Sequence, residues 1–301
     1  MKIVFNLLGT GLGNNGGSKT LIRSAETLQE LGEEVYISCQ SSSCTWWKIN
    51  VPVIKRIIPC DILIATGHGS VKSTLDYKQS KLKLWYVRAH ENWRADDGRL
   101  MKAYRSLRCI ANSKWIRDWL ATFNIDCELV YPGIDFECYF NSGVSRKNIM
   151  GGLQHRHKRK RPQDCLKVHQ MSKYPMLMLN RDISTGDFAQ LSNFYNRIKV
   201  WMSPSENEGL QNVPIEAALC GCGLVLTDHF MGGTVDYAQH EETCLVYPAR
   251  NLPAAAECVD RLMKDEELRI RLNKNAVEAI RSNIGDRRHN MKKFIEFQYR
   301  Y

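Results

Sequence analysis

The stretch that decides the fold runs from Ile198 to Ala218 and reads IKVWMSPSENEGLQNVPIEAA. Its first part, Ile198–Met202, is short and apolar and is closed by Ser203-Pro204, which is typical of a buried parallel strand and its exit. From Val213 onward the apolar residues recur at helical spacing, which predicts a helix. The stretch therefore predicts a strand, a loop and a helix, the unit from which parallel α/β sheets are built.

Two carboxylates occupy this predicted unit. Glu208 lies in the loop, and Glu216 follows after seven intervening residues, about one turn into the helix. Open α/β sheets bind ligands at the carboxyl ends of their strands, where Glu208 is placed. Carboxylates suit sugar hydroxyls, and backbone N–H groups at a helix start suit an anionic ligand. The N–H groups expected there belong to Gly209, Leu210, Gln211 and Asn212. Two surface acids favoured by the helix dipole are the simpler alternative.

Length and composition indicate a globular protein of two domains. The chain has 301 residues, of which 44% are hydrophobic and 25% charged, and domains of about 150 residues are common. No apolar stretch approaches the ~20 residues that span a bilayer, and Met1 leads directly into a strand pattern rather than a signal peptide. Eleven cysteines without a C-x-x-C pair fit a reducing compartment. We therefore expect a cytoplasmic protein, in the host cytoplasm if the gene is viral.

Alternating strand and helix patterns predict an α/β fold with two doubly wound parallel sheets in tandem. The alternation breaks at Tyr131–Asp135 and restarts near Asn148. We expect an N-terminal Rossmann-like domain over residues 1–140 and a second over 141–283. A C-terminal helix is expected within 284–301, packing back toward the N-terminal domain. Ligands commonly bind in a cleft between two such domains.

The glycine-rich loop Gly9–Thr20 after the first strand does not fit two familiar nucleotide sites. Its G-x-G-x-x-G pattern would need an acidic residue at the end of the second strand for a dinucleotide, and that strand ends in Gln40. Ser18-Lys19-Thr20 lacks the glycine that precedes the lysine of a P-loop. A plain tight turn between strand and helix is the structural alternative.

Several motifs in order along the chain resemble those of one enzyme family. Gly16-Gly17 is similar to its glycine opening, Ser113 to a serine that caps a helix, and Tyr131–Asp135 to its "P-N-G-I/V-D" linker entry. The E-x7-E pair completes a resemblance to the retaining GT-B glycosyltransferases of the group 1, nucleotide-sugar family. This resemblance implies a GT-B fold, with two Rossmann-like domains facing a central cleft.

The resemblance implies roles for residues in both domains. Glu208 would contact the donor sugar, and Glu216 would hold the ribose of the nucleotide. Gly16 and Gly17 would let the backbone approach the donor diphosphate and the acceptor. His90, at a predicted strand end, would line the cleft near the anomeric carbon, although a lone histidine is often only a structural hydrogen-bonding group.

A basic cluster, His155–Arg161, resembles the phosphate-binding part of the family. There Gly152 occupies the place of an arginine that contacts the donor diphosphate. The resemblance implies that Lys160 or Arg161 stabilises charge on the leaving diphosphate and that the two bind the donor side by side, with the register open by one or two residues. Other cations could compensate for the missing arginine, namely Arg156, Lys158 and Arg159. A solvated loop or a nuclear-localisation-like tract is the alternative for the whole cluster.

The expected activity is retaining transfer of a hexose from a nucleotide sugar to a hydroxyl, without a metal. UDP-glucose is the favoured donor because it is the commonest, and the sequence contains neither H-E-x-x-H nor D-x-D. A GT-B-like epimerase or phosphorylase is a further possibility, but the catalytic acids of the first and the cofactor lysine of the second have no visible counterpart in this sequence. A non-catalytic nucleotide-sugar-binding protein is the alternative from another class.

The acceptor is the least determined part of the prediction. The net charge is +10, and the segment Lys81–Arg108 interleaves basic with aromatic residues. This suits duplex DNA and an extruded base, so the favoured acceptor is a hydroxymethylated pyrimidine in DNA. It also suits an anionic membrane that carries a lipid acceptor. A cell-surface polysaccharide is a further alternative, and the oligomeric state is left open.

Overall fold

The computed structural model describes residues 1–46, 48–180 and 188–298. The chain divides into two compact units, Met1–Ile134 with Asp286–Tyr301, and Asp135–Gly285. Each unit contains a parallel sheet flanked by helices, so the two tandem Rossmann-like units predicted from the sequence are confirmed. The sequence predicted unit boundaries after residues 140 and 283. In the structure the boundaries lie after Ile134 and Gly285. Residues 299–301 of the expected C-terminal segment lie outside the described part.

The first unit is built on a seven-stranded parallel sheet with the order β3-β2-β1-β4-β5-β6-β7. Its strands are β1 (Lys2–Asn6), β2 (Glu34–Ser38), β3 (Val53–Ile54), β4 (Cys60–Ala65), β5 (Ser80–Val87), β6 (Arg108–Ala111) and β7 (Cys127–Leu129). Its helices are α1 (Gly16–Glu30), α2 (His68–Asp76), α3 (Asp97–Tyr104), α4 (Lys114–Ala121) and α10 (Arg287–Gln298).

The core of the first unit lies between the sheet and helices α1 and α10. Phe5 of β1 is in register with Ile37 of β2 and Ile64 of β4, and all three are buried. The apolar face of α1, including Leu21 and Leu28, packs on these strands. Strands covered on both faces are apolar throughout, which is why the sequence pattern located them well.

The C-terminal helix belongs to the first unit. Met291, Phe294 and Phe297 of α10 join the same apolar core as the strands. Gly133, just before the unit boundary, has a φ of 78°, and a Cβ there would lie 2.0 Å from the Cα of Arg287. Only glycine fits this close approach, so the turn at Gly133 and the start of α10 are built together.

The second unit has a five-stranded parallel sheet with the order β12-β11-β10-β8-β9. Its strands are β8 (Met150–Gln154), β9 (Met176–Asn180), β10 (Val200–Ser203), β11 (Gly223–Thr227) and β12 (Leu245–Tyr247). Its helices are α5 (Pro162–Met171), α6 (Phe188–Asn196), α7 (Asn212–Leu219), α8 (Leu252–Lys264) and α9 (Glu266–Ala279). A 3-10 turn covers Lys158–Lys160, and a π-helical turn covers Ile280–Ile284. Strand β10 is central, so the loop that follows it emerges at the middle of the sheet edge.

Membrane-spanning helices were sought among the described residues, 1–46, 48–180 and 188–298. None of the helices in these ranges is both long enough and apolar enough to cross a bilayer.

Candidate active site

The loop between β10 and α7 carries Glu208 and is held in place by a second loop. The backbone N–H of Glu208 donates to the carbonyl of Met231 at 2.8 Å, and that of Gln211 donates to the carbonyl of Gly233 at 2.9 Å. Gly233 has a φ of 74°, and a Cβ on it would lie 2.3 Å from the carbonyl oxygen of Gly209. The second glycine of this loop is therefore required, because the two loops touch backbone to backbone.

The side chain of Gln211 strengthens the same junction. Its Nε2 donates to the carbonyl of Gly232 at 2.9 Å, while the hydroxyl of Tyr237 donates to the Gln211 carbonyl at 3.0 Å. These bonds fix the start of α7, where Gly209, Leu210 and Asn212 supply the backbone expected near an anion. The loop is thus rigid on the side where sequence reasoning placed a donor.

Lys160 and Glu208 form an ion pair across the edge of the second sheet. Lys160 Nζ donates to Glu208 Oε1. The two side chains are only 16% and 12% exposed, so water screens the pair weakly. The sequence proposed both residues for the site but gave no indication that they touch. The structure brings them together although they are far apart in the chain.

Arg161 is held beside this pair by two acids. It has a φ of 47°, and its Nε donates to Asp164 Oδ2 at 2.5 Å. Its Nη1 lies 3.3 Å from Glu206 Oε1. Glu206 also accepts two hydrogen bonds from Arg250, at 2.8 and 3.1 Å. These contacts orient the guanidinium of Arg161 before any ligand arrives.

The ion pairs around Glu206 change its acidity. The hydrogen bond from Arg250 lowers the pKa of the Glu206 carboxyl below its usual value, and the positive charge of Arg161 acts in the same direction, while burial opposes them. The carboxylate is therefore charged at neutral pH. The backbone N–H of Glu206 donates to the carbonyl of Arg159 at 3.0 Å. This bond ties the basic segment to the loop that carries Glu208.

Gly152 stands where the family resemblance suggests an arginine, and a side chain at this position would be crowded. The residue lies within β8, and a Cβ there would lie 3.0 Å from the Cys165 sulfur and 3.2 Å from the Met178 sulfur. A side chain at position 152 would therefore point toward the packed side chains of Cys165 and Met178. The segment after β8 carries further cations: Arg156 and Lys158 are exposed, and Arg159 is half-buried.

Glu216 lies on α7 with its carboxylate almost completely buried, at 3% exposure. The hydroxyl of Tyr195, on α6, donates to Glu216 Oε2 at 2.9 Å. Sequence reasoning missed Tyr195, because nothing in its local pattern separates it from an ordinary core tyrosine. The contact depends on how α6 packs against α7.

Gly16 and Gly17 lie in the first turn of α1. Asn15 caps this helix by accepting a hydrogen bond from the Ser18 N–H at 2.8 Å. The carbonyl of Gly17 accepts from Arg88 Nη1 at 2.7 Å. Gly16 and Gly17 therefore stand at a helix N-terminus, as a backbone anion site would require, with a cation alongside.

His90 is buried in the first unit, and both of its ring nitrogens are engaged. Nε2 lies 2.9 Å from Asp97 Oδ1, and Nδ1 lies 3.3 Å from the Tyr104 hydroxyl. The ring also packs against Trp119, with centroids 4.5 Å apart. These contacts fix the orientation of the histidine. Its predicted catalytic role stays a prediction.

Two further sequence expectations gain detail from the structure. Ser113 occupies the N-cap position of α4 but makes no capping hydrogen bond, so the predicted cap is wrong. Within the described part of the chain, its buried hydroxyl has no hydrogen-bond partner. Asp135, Glu137 and Cys138 are one group among the described residues whose ligand atoms lie within 4.8 Å of one another. Metal independence therefore also stays a prediction.

Comparison with known proteins finds a family model that matches part of this chain. The sequence model described as "Glycosyl transferases group 1" matches residues 183–279. Residues 183–279 are thus similar to the group 1 glycosyl transferases. They contain Glu208, Glu216 and the loop that follows β11. The similarity to group 1 glycosyl transferases expected from the sequence is confirmed for these residues.

One curated relative is similar to this chain over part of its length. The capsular polysaccharide biosynthesis glycosyltransferase CapM of Staphylococcus aureus is 28% identical over 93 residues, which are 31% of this chain and 24% of CapM. The chain thus spans about a quarter of the length of this relative. The match supports the expected class of enzyme, a glycosyltransferase.

Solved structures extend the similarity to the whole fold. Sucrose-phosphate synthase from Thermosynechococcus elongatus has a TM-score of 0.80 at 15% identity, covering 100% of this chain and 98% of its own. HepE of Anabaena, in complex with UDP-glucose, has a TM-score of 0.81 at 13% identity, covering 100% of both chains. The GT-B fold expected from the sequence is therefore confirmed.

Proposed function

We propose that this chain is a retaining, metal-independent glycosyltransferase that moves a hexose from a nucleotide sugar, with UDP-glucose favoured, to a hydroxyl group. The observation that carries the proposal is the Lys160–Glu208 ion pair at the carboxyl end of β10. In a nucleotide sugar, the anomeric carbon bears the phosphate directly. A carboxylate that contacts the sugar and a cation that contacts the phosphate must therefore be neighbours, as Glu208 and Lys160 are.

Each group of the proposed donor site has a separate task. Lys160 and the preoriented Arg161 stabilise the negative charge that develops on the leaving diphosphate. The first-turn N–H groups of α7 contribute to the same end. Glu208 accepts hydrogen bonds from the sugar hydroxyls, and Glu216 accepts them from the ribose. The leaving diphosphate takes the proton of the acceptor hydroxyl, so the sugar is transferred with retention.

The donor proposal draws further support from the relatives. HepE, which shares the fold over its whole length, was solved with UDP-glucose. The group 1 match covers the segment that carries both glutamates. UDP-glucose is accordingly the first donor to test, followed by other UDP-sugars.

For the acceptor, the structure weakens one part of the DNA hypothesis. The aromatic residues of Lys81–Arg108 do not form a surface: Trp85, Tyr86 and Tyr104 are buried in the core, and only Trp93 is exposed, at 41%. Of the basic residues in this segment, Lys81 pairs with Asp61. The aromatic half of the pattern thus reflects packing inside the unit rather than base stacking.

We therefore favour a carbohydrate acceptor, in line with the capsular polysaccharide role in the name of CapM. A hydroxymethylated pyrimidine in duplex DNA is the second candidate. It is favoured by exposed Arg99, Lys102 and Arg105 on and after α3, with Trp93 nearby in the chain. An anionic membrane that carries a lipid acceptor would use the same residues.

A donor and acceptor screen tests the proposal. Purified protein is incubated with radiolabelled UDP-sugars and three acceptors: polysaccharide fragments, hydroxymethylated duplex DNA, and anionic vesicles with a lipid-linked sugar. We expect label in the carbohydrate, an α-linked product by NMR, and the same rate in EDTA. A β-linked product refutes retention, and label found in DNA alone refutes the carbohydrate acceptor. Release of no nucleotide from any donor refutes the enzyme.

A further inference from the structure

We propose that Tyr195 is a positioning residue for Glu216, whose carboxylate it holds in the orientation that binds the donor nucleotide. This inference rests on the proposed function, in which Glu216 accepts hydrogen bonds from the ribose. The contact that carries it is the hydrogen bond from the Tyr195 hydroxyl to Glu216 Oε2, at 2.9 Å. Both residues are buried, with exposures of 0% and 3%.

The aromatic ring of Tyr195 is fixed by its neighbours. It packs edge-on against Trp201 of β10, with centroids 5.6 Å apart and ring planes at 81°. On another side it meets the ring of Tyr139 at 6.3 Å. Edge-to-face contacts of this kind favour one ring orientation. The hydroxyl at the end of the ring therefore has a defined position relative to α7.

The backbone of Tyr195 is fixed as well. Its carbonyl oxygen accepts hydrogen bonds from Arg146 Nη1 at 3.0 Å and from the Cys222 thiol at 3.2 Å. Arg146 also donates to Asn196 Oδ1 at 3.1 Å. Carbonyls in the last turn of a helix lack hydrogen-bond donors within the helix. For Tyr195, the side chains of Arg146 and Cys222, from two other segments, are the donors. The end of α6 is thus anchored next to α7.

A fixed hydroxyl matters because Glu216 is buried. A buried carboxylate is costly unless hydrogen bonds satisfy it, and a glutamate side chain has several rotamers among which a bond can select. Tyr195 donates a single proton to one oxygen. The two oxygens of a carboxyl group carry several acceptor sites, so one hydrogen bond from Tyr195 is compatible with further hydrogen bonds to the same group. Preorganised binding groups lose less entropy when the ligand arrives.

The test is a double-mutant cycle on UDP affinity, measured by calorimetry on the full chain. Tyr195→Phe should weaken UDP binding on the order of tenfold, as expected for a hydrogen bond to a charged group. At saturating donor, kcat should stay within about twofold, because nucleotide contacts act mainly on binding. Glu216→Met, which cannot accept the hydrogen bond, should weaken binding too, and the double variant should bind like Glu216→Met alone.

A matched control separates positioning from packing. Tyr247 is also a fully buried tyrosine of the second unit, and Tyr247→Phe should leave UDP affinity unchanged. If Tyr195 only stabilised the fold, Tyr195→Phe would lower Tm but not the UDP affinity of the folded protein. Unchanged affinity in Tyr195→Phe, or additive losses in the double variant, overturns the inference. A folded wild-type protein that binds no nucleotide sugar instead overturns the proposed function.

A second measurement avoids removal of the hydroxyl altogether. 3-Fluorotyrosine introduced at position 195 keeps the ring and reports its surroundings through the ¹⁹F resonance. The resonance should shift when UDP is added to the otherwise unchanged protein. The shift should be lost in Glu216→Met, which cannot accept the hydrogen bond. A UDP-induced shift that persists in Glu216→Met contradicts the inference, as does the absence of a shift when UDP binds.

Discussion

Lys160 and Glu208 pair with each other at the edge of the second sheet, one from the turn after β8 and the other from the loop after β10. In the absence of a donor, each neutralises the other. A nucleotide sugar would offer each a new partner, phosphate for Lys160 and sugar hydroxyls for Glu208. Donor binding thus exchanges one ion pair for two sets of contacts, which lowers the cost of keeping both charges in a largely buried place.

The Lys160–Glu208 pair supports the proposal that Lys160 is the cation that binds the donor phosphate. Lys160→Met should lower kcat/KM by about 10²-fold, because a cation at the leaving diphosphate is lost. Lys274, exposed on α9, gives a control, and Lys274→Met should leave the rate unchanged. Steady-state assays of donor turnover check this. Lys158→Met tests whether Lys158, rather than Lys160, binds the phosphate. A larger loss of kcat/KM in Lys158→Met than in Lys160→Met would contradict the assignment.

Gly152 should tolerate no side chain. Gly152→Ala should destabilise the fold by roughly 1–3 kcal/mol through overpacking against Cys165, and Gly152→Arg should not raise activity. Urea unfolding gives the free energies. In a Cys165→Ala background the Gly152→Ala cost should shrink, because the nearest obstructing atom is then absent. Equal costs in the two backgrounds would show that the clash lies elsewhere.

Glu206 should contribute to the dependence of the free energy of unfolding on pH in the acidic range. Because Arg250 and Arg161 lower the pKa of this carboxyl in the folded state, the ion pairs contribute stability above the unfolded pKa, about 4.3 for glutamate. That contribution is lost as the pH falls through the lower folded pKa. Glu206→Gln should therefore be less stable than wild type at pH 7, with a smaller difference at pH 3.

Urea midpoints of the two proteins at several pH values measure the effect. The difference should be small, because Arg250 is mostly exposed and water screens its charge. Glu257→Gln, at an exposed acid in the middle of α8, should follow wild type at every pH. A Glu206→Gln difference that does not change between pH 7 and pH 3 would contradict the ionic origin of the stabilisation.

His90 is expected to act through the loop that it anchors. If its hydrogen bond to Asp97 orients the segment between them, His90→Gln and Asp97→Asn should raise the acceptor KM by similar factors of a few-fold. UDP affinity should stay unchanged in both. Initial-rate kinetics with varied acceptor provide the comparison. A loss of about 10²-fold in kcat for His90→Gln alone would instead establish the direct catalytic role predicted from the sequence.

The sequence predicted the sheets well because buried parallel strands are apolar along their whole length. The strand expected at Ile198–Met202 is observed as Val200–Ser203. Helix α2 was not predicted, since it begins at His68-Gly69-Ser70, and glycine in a first turn gives a weak helical signal. The two-residue strand β3 is too short to show a pattern.

Contacts between distant side chains were beyond sequence reasoning. Glu208 and Lys160 were both found from motifs, but their pairing depends on the order of β8 and β10 in the sheet. The same is true of Tyr195, whose hydroxyl reaches Glu216 only because α6 lies against α7. Trp85 and Tyr104 were interpreted as surface residues because basic residues surround them in sequence. They stack on each other in the core, with centroids 4.5 Å apart.

The central claim is that Glu208 takes part in sugar transfer, and a Glu208→Gln variant tests it most directly. Gln keeps the size of the side chain and removes its charge. Release of UDP from UDP-glucose with a competent acceptor should fall by about 10²-fold or more, a loss of ~3 kcal/mol in transition-state stabilisation. UDP binding by calorimetry should remain within a few-fold of wild type, which shows that the protein is folded. Wild-type turnover in Glu208→Gln would contradict the proposed active site.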